Sequence, residues 1–160
     1  MRACAGSFLL LGLVSIGCGP TVDLTKGLQL TVVNSGWFDA GIVNGKAKLT
    51  PSISFKLRNM SDQRLTVLQV NALFRRVTEK DEWGSGFVQA AGSDGLAPGA
   101  TTPTLTMTSQ LGYTGTDQSR QQMLQNPLFV DAKVELSGKY GSVQWVRLGD
   151  FPIARVLIIK

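Results

Sequence analysis

The amino-acid sequence predicts an all-β fold, an antiparallel β-sandwich of about seven or eight strands with one short helix. Apolar and polar residues alternate with a period of two through most of the chain, which is typical of half-buried strands. Clusters of Gly, Asn, Pro and Ser interrupt this alternation at short intervals, as they do in all-β domains. The intervening segments are too short for the crossover helices of a parallel sheet. A closed barrel is the main alternative.

Three strands are predicted in the first half of the chain. Alternation over 28–32 indicates the first strand, which is followed by turn residues at 34–36 and 44–45. A half-buried strand covers about 49–59. In the next strand, 65–77, the apolar residues change parity near Val67 and Leu68, and a β-bulge explains that change.

The second half of the chain contains the one helical candidate among further strands. A glycine-weakened strand over 83–89 fits an edge position, and a Thr-rich strand over 105–109 follows it. The short helix covers 117–125, because Asp117 is a capping residue and Asn126-Pro127 disfavours continuation. The remaining strands are predicted over 130–136, 143–148 and 151–159.

Composition restricts the possible functions. The chain has 160 residues, a length that suits one domain, with 2 Cys, no His and a formal net charge of +5. The lack of histidine removes Ser-His and Cys-His nucleophiles and His-ligated metal sites. The carboxylates at 79–82 fit a charged hairpin loop, Asp131 and Glu135 lie roughly 13 Å apart on one strand face, and neither a Ser-x-x-Lys nor a phosphate-loop motif occurs. We therefore expect no enzyme activity, no catalytic or metal-binding residue and no cofactor. The modest charge is far from the clustered basic face of a nucleic-acid-binding protein, so no nucleic acid is expected as a partner.

The first residues have the features of an export signal. Arg2 supplies a minimal positive region, and 7–16 is a ten-residue apolar run. A membrane span needs roughly 20 apolar residues, so this run fits a signal peptide and is too short to span a bilayer.

The end of this segment, Val14-Ser15-Ile16-Gly17-Cys18, resembles the lipobox of bacterial lipoproteins. The resemblance implies cleavage after a signal peptide of residues 1–17, acylation of Cys18 and attachment to a membrane. Residues 18–27 then form the lipidated N-terminus and a short tether, and 28–160 form the β-sandwich domain. With Gly19 after the cysteine, the resemblance points to the outer membrane, facing the periplasm, in an organism with two membranes. The alternative is an ordinary signal peptide with an incidental cysteine.

A second resemblance covers residues 53–107. The strand and turn Ile53–Ser61, the long strand Leu65–Phe74 and the loop Leu96-Ala97-Pro98-Gly99 resemble immunoglobulin-like modules of the FxLYD and CARDB kind in exported bacterial proteins. The resemblance implies an immunoglobulin-like β-sandwich. It transfers no catalytic residue, because such modules are generally non-enzymatic.

Aromatic residues near predicted turns and strand ends are the candidate binding residues. Loops that carry aromatic and arginine side chains often form binding surfaces. The candidates are Trp37, Trp83, Tyr113, Trp145 and Arg147. The alternative is that at least one tryptophan fills the core between the sheets. The segment 111–127 is long for a sandwich connection and is a candidate recognition loop.

These observations predict a membrane-anchored lipoprotein of the cell envelope that acts as a non-enzymatic binding or adaptor module. Its expected partners are the membrane, through acylated Cys18, and an envelope protein. The alternative is an accessory lipoprotein of an envelope transport or assembly machine that contacts lipid or a small ligand.

Overall fold

The computed structural model describes residues 21–158, which are mostly β-strand. The predicted signal peptide 1–17 and Cys18 lie outside the described residues. In chain order the elements are α1 Leu24–Gly27, β1 Leu28–Val43, β2 Lys46–Asn59, β3 Leu68–Arg76, β4 Gly84–Ala91, β5 Leu105–Thr108, β6 Tyr113–Gly115, α2 Arg120–Gln125, β7 Ala132–Lys139, β8 Val146–Pro152 and β9 Leu157–Ile158.

The strands form two sheets that pack face to face. The first sheet has the order β5-β2-β1-β9, and β6 pairs with β2 farther along the same edge. The second has the order β4-β3-β7-β8. Neighbouring strands are antiparallel except β1 and β9. Strands β1, β2 and β5 correspond to strands A, B and E of an immunoglobulin-like sandwich, and β4, β3, β7 and β8 correspond to its strands C′, C, F and G. The predicted sandwich is therefore confirmed, with nine strands and two short helices within residues 21–158.

The first strand is longer than predicted. The expected turn at 34–36 is instead the middle of β1, which continues past a register shift between Val32 and Asn34. Gly36 lies in close contact with Val156 and Ile158, and a Cβ atom at this position would clash with both residues. The only turn of this hairpin is at Asn44 and Gly45, which both have positive φ and connect β1 to β2.

The predicted irregularity near Val67 is present. Val67 has a φ of 50°, and the pairing of β3 with β4 shifts register between Leu68 and Gln69. The strand therefore begins at Leu68, whereas Leu65 forms only an isolated bridge with Leu96. Strand β4 lies at the edge of its sheet, as its glycines predicted.

The C-terminal strand prediction is wrong in one respect. The predicted strand 151–159 is divided between the two sheets, because Phe151 and Pro152 complete β8 while Leu157 and Ile158 form β9 beside β1. Buried Ile153 marks the point where the chain leaves the second sheet, and its N–H donates to the Ala132 carbonyl.

The folded domain begins earlier than predicted. Residues 24–27, expected to be part of a tether, form the helical turn α1, and Leu24 is fully buried in the core. Asp23 caps this turn. Hydrogen bonds from the Thr25 side chain and backbone to its carboxylate lower the pKa of Asp23. Any tether between Cys18 and the domain therefore ends before Leu24.

Strand directions define two ends of the sandwich. The N-terminal end carries α1, the start of β1 and the turn between β7 and β8; the distal end carries the β1–β2 turn and the segments 77–83 and 116–131. Between the two ends lies one continuous apolar core. Its largest fully buried side chains are Trp37, Phe55, Phe74, Leu24, Leu49, Ile53, Leu57, Leu65, Leu68 and Leu136.

Candidate binding site at the distal end

Four aromatic rings meet at the distal end, and we call them the aromatic cluster: Trp37, Trp83, Tyr113 and Phe129. The Trp37 ring centroid lies 6.1 Å from that of Trp83, 5.5 Å from Tyr113 and 4.6 Å from Phe129. Tyr113 contacts the other two rings at 5.0 and 4.6 Å. The rings are tilted or edge-on, the arrangements that aromatic pairs prefer. The cluster therefore joins both sheets to the distal loops.

Trp37 is the buried centre of the cluster. It is fully buried in β1, and its backbone N–H donates to the Val156 carbonyl at 2.8 Å. Its indole Nε1 has no hydrogen-bond partner within residues 21–158, and leaving a buried N–H unpaired costs about 1–3 kcal/mol. The prediction that Trp37 is part of a binding surface is therefore wrong, because this tryptophan fills the core.

Trp83 and Tyr113 lie at the boundary between the core and the surface. Both are half-buried. The Trp83 backbone N–H donates to the Phe74 carbonyl at 2.8 Å, and the Tyr113 hydroxyl donates to the Val130 carbonyl at 3.0 Å. The first bond holds the Trp83 backbone beside β3, and the second holds the hydroxyl end of the Tyr113 ring, while both side chains remain partly accessible.

Two arginines lie over the rings, and each is paired with a carboxylate. The Arg76 guanidinium is 5.5 Å from the Trp83 ring, and that of Arg155 is 5.0 Å from the Phe129 ring. Arg76 binds Glu79 at 2.6 Å, and Arg155 binds Asp131 at 2.8 Å. Hydrogen bonding to these carboxylates raises the pKa of both guanidinium groups. These cation–π and ion-pair contacts fix the loops around the cluster.

The candidate recognition loop is folded. Strand β6 pairs with residues 47–49 of β2, and α2 has a capping box between Ser119 and Gln122. The helix starts three residues later than predicted because Asp117 has a positive φ of 56° and lies outside it. Buried Met123 and Leu124 attach the helix to the core. The loop therefore presents a defined surface.

Gly112 allows this segment to approach β2 closely. A Cβ atom at this position would clash with the carbonyl of Leu49. A second tie is the ion pair between Arg120 and Asp39, at 2.9 Å, which connects α2 to β1. The whole segment is therefore held against the first sheet at several points.

Five exposed apolar side chains lie on or beside the segments of the distal end, and we call them the distal patch. Leu128 is 86% exposed and Ile42 is 64% exposed. Exposed aliphatic side chains grouped on one side of a protein mark interaction surfaces more often than scattered ones do. The distal patch consists of Ile42, Val77, Leu111, Leu128 and Val156.

Two depressions lie within the distal end. The first, of about 110 Å³, is lined by Tyr113, Met123, Leu128 and Phe129 among others, and it has room for one side chain. The second, of about 380 Å³, runs between α2 and residues 155–157. Its volume is within the range of small-molecule sites, although it is a shallow groove.

Trp145 and Arg147 do not join this site. Trp145 precedes β8 near the N-terminal end, where it is 43% exposed and its ring lies 5.2 Å from the Lys139 Nζ. Arg147 pairs with Glu135 at 3.8 Å and with Asp150, and the hydrogen bond that its guanidinium donates to the Asp150 carboxylate raises the pKa of Arg147. The five predicted binding residues therefore divide into a distal group of three and a separate pair.

Sequence reasoning missed several members of the distal site. Phe129 stands two residues after Pro127, the predicted end of the helix, so the apolar pair at 128–129 was the available signal. Arg76 is the last residue of β3, and nothing in its local sequence identifies a ring beside it. Within residues 21–158 there is no group of three or more potential metal ligands and no helix long and apolar enough to cross a membrane.

No protein-family model matches this chain, and no curated protein is similar to it in sequence. The resemblances of 14–18 to a lipobox and of 53–107 to FxLYD and CARDB modules therefore stay predictions. The fold and the distal site carry the functional argument.

Proposed function

We propose that this protein is a membrane-anchored lipoprotein of the cell envelope that acts as a non-enzymatic binding or adaptor module. Its distal end binds an envelope protein. One observation carries the proposal: the distal patch and the aromatic cluster lie at the end of the sandwich opposite residue 21, where the chain from Cys18 enters the domain. An anchor at Cys18 leaves this end free to meet a partner.

The character of the distal end supports a protein as the partner. Half-buried aromatic side chains beside arginines are enriched in the energetically important parts of protein interfaces. Trp83 with Arg76 is such a pair, and Arg155 lies beside the buried Phe129 ring. The small depression beside Leu128 has room for one side chain of a partner.

The ion pairs support a binding role over a catalytic one. Arg76, Arg120 and Arg155 each pair with a carboxylate of a neighbouring segment. Paired in this way, the charges hold the loops in place, and each carboxylate already accepts from a guanidinium where a general base would have to meet the proton of a substrate.

The lipobox-like sequence supports an anchor. Acylation at Cys18 with more than one chain holds a protein firmly to a bilayer without help from the folded domain. In an organism with two membranes, Gly19 after the cysteine favours the outer membrane, with the domain in the periplasm.

A second candidate function rests on the groove between α2 and residues 155–157. Its volume of about 380 Å³ and its apolar residues Leu124, Val156 and Leu157 fit a lipid chain or a small ligand. In this case the protein is an accessory lipoprotein of an envelope transport or assembly machine.

Photo-crosslinking in cells tests the proposal. A photoreactive amino acid at Leu128 or at Leu111 is compared with one at Val33, which is exposed on β1 but lies away from the distal end. We expect the same envelope protein to be trapped from both distal positions and not from Val33, and the product to be lost in Cys18→Ser. Equal trapping from Val33, or none from the distal positions, contradicts the proposal. A lipid trapped at Val156 in place of a protein favours the second candidate.

A further inference from the structure

The point where the chain enters the domain is fixed at the N-terminal end. The Val22 backbone N–H donates to the Tyr140 hydroxyl at 2.6 Å, and Leu24 is fully buried. The Met60 backbone N–H donates to the Gly27 carbonyl at 2.8 Å, which ties α1 to the β2–β3 connection. Residues 22–27 therefore have a defined place beside the turn between β7 and β8.

The distance from this point to Cys18 is short. Three peptide units separate the Cα atoms of Cys18 and Thr21, and they span at most about 11 Å when fully extended. If Cys18 is acylated at the bilayer surface, as the proposed function requires, the N-terminal end of the sandwich has to lie within that distance of the lipid headgroups.

The part of the N-terminal end beside the entry point has the chemistry of a membrane interface. The turn at Tyr140 leads directly to Trp145, and the Lys139 ammonium lies 5.2 Å from the Trp145 ring. Trp145 is 43% exposed, and Met60, on the β2–β3 connection, is more than half exposed. Tryptophan favours the headgroup region because its ring is apolar and its N–H is polar, and lysine beside it favours anionic headgroups.

We infer that the N-terminal end is a lipid-contacting surface, in which Trp145 and Lys139 lie in the headgroup region and set the orientation of the anchored domain. This inference rests on the proposed anchor at Cys18. Charge alone does not drive the contact, because the basic residues of this end, Lys26, Arg58, Arg64 and Lys139, are nearly balanced by the acidic residues Asp23, Asp62 and Asp94. The anchor supplies the attachment, and Trp145 with Lys139 determines which side faces the lipid.

Tryptophan quenching by lipid tests this inference. The full acylated chain is attached to vesicles of phosphatidylethanolamine and phosphatidylglycerol whose acyl chains carry bromine near the headgroups. The chain has three tryptophans. Trp37 is buried. Trp83 lies beside the end of β3 and Trp145 lies near the level of its start, so about six residues of β3, or about 20 Å, separate the two tryptophans along the strand direction. We expect quenching of a fraction of the emission that corresponds to one tryptophan.

Two matched variants identify the quenched residue. Trp145→Phe should abolish the quenching, whereas Trp83→Phe should leave it intact. Attached protein without quenching, or with the same quenching in Trp145→Phe, overturns the inference and leaves the anchor standing. An intact mass without acyl chains overturns the anchor and this inference together.

Discussion

Different kinds of interaction hold the loops in place at the two ends of the sandwich. At the N-terminal end, the buried amide of Asn59 donates to the carbonyls of Gln63 and Leu96 and accepts from Ser61, so one side chain organises three segments. At the distal end, four aromatic rings and three ion pairs connect the segments instead. The polar network at the N-terminal end satisfies backbone carbonyls through one buried side chain, whereas the aromatic packing at the distal end has the exposed aliphatic side chains of the distal patch beside it.

This difference has a functional consequence. In the proposed function, the distal end offers a partner the exposed apolar side chains of the distal patch, and the N-terminal end connects the domain to the anchor at Cys18. Four pairs of substitutions test the comparison, and they are given from the largest expected effect to the smallest.

Trp37→Ala should have the largest effect, because it removes the buried centre of the aromatic cluster. We expect a loss of about 3–5 kcal/mol in the free energy of unfolding, the usual cost of truncating a buried large aromatic residue. Its control is Trp145→Ala, which removes an exposed ring and should cost under about 0.5 kcal/mol. Denaturant unfolding measures both, and similar losses for the two variants would contradict the assignment of Trp37 to the core.

Asn59→Ala tests the polar network of the N-terminal end. The substitution leaves the carbonyls of Gln63 and Leu96 without the amide that they bind, and we expect a loss of about 2–3 kcal/mol. Asn34→Ala is the control, since Asn34 is exposed. Crosslinking from Leu128 should persist in Asn59→Ala under conditions in which the variant is folded, and its selective loss would show that the two ends are not independent.

Gly112→Ala tests how the recognition segment reaches β2. The added methyl group meets the Leu49 carbonyl, and the resulting displacement should cost about 1–3 kcal/mol. In the control, Gly92→Ala, the new methyl group contacts only the flexible end of Gln89 at 3.4 Å. We expect Gly112→Ala to lower both the melting temperature and the crosslinking yield at Leu128, and Gly92→Ala to change neither.

A pair of Tyr→Phe substitutions compares the two ends directly. Tyr113→Phe removes the hydrogen bond to the Val130 carbonyl and should cost about 1 kcal/mol of global stability. Tyr140→Phe removes the acceptor for the Val22 N–H at the edge of the domain, so the loss should be local. Amide hydrogen exchange should become faster over residues 22–27 in Tyr140→Phe alone. Faster exchange there in Tyr113→Phe would contradict the separation of the ends.

The strands with regular alternation were predictable from sequence. Strand β7 keeps Val134 and Leu136 inward with polar residues between them, so local pattern and burial agree. Strand β1 was harder to predict from sequence. Even-numbered residues face the core before the irregularity after Val32, and odd-numbered residues face it afterwards. Leu28 is buried before it and Trp37 after it. No local rule predicts this change, and the prediction that Trp37 is a binding residue came from its place just after the expected turn at 34–36.

The distal site was predictable only in part. Aromatic residues near strand ends pointed to Trp83 and Tyr113, but their meeting with Phe129 depends on how the two sheets pack. The short elements α1 and β6 were missed because three or four residues are too few to show a period. Trp145 and Arg147 share a parity in the sequence, yet they lie away from the aromatic cluster because β8 begins at the N-terminal end.

Partner capture with the acylated protein tests the division of roles between the two ends most directly. The double variant Leu111→Asp with Leu128→Asp places charges on exposed positions of the distal patch, and Val33→Asp is the matched control. The variants are compared when their melting temperatures and their attachment to the membrane are equal. We predict that the double variant recovers at least about tenfold less of the envelope protein identified by crosslinking from Leu128 in the wild type. This is the effect expected for the loss of interface contacts worth about 1.4 kcal/mol or more. Recovery at the wild-type level from the double variant, with a loss in Val33→Asp, would contradict the assignment of the distal end as the binding surface.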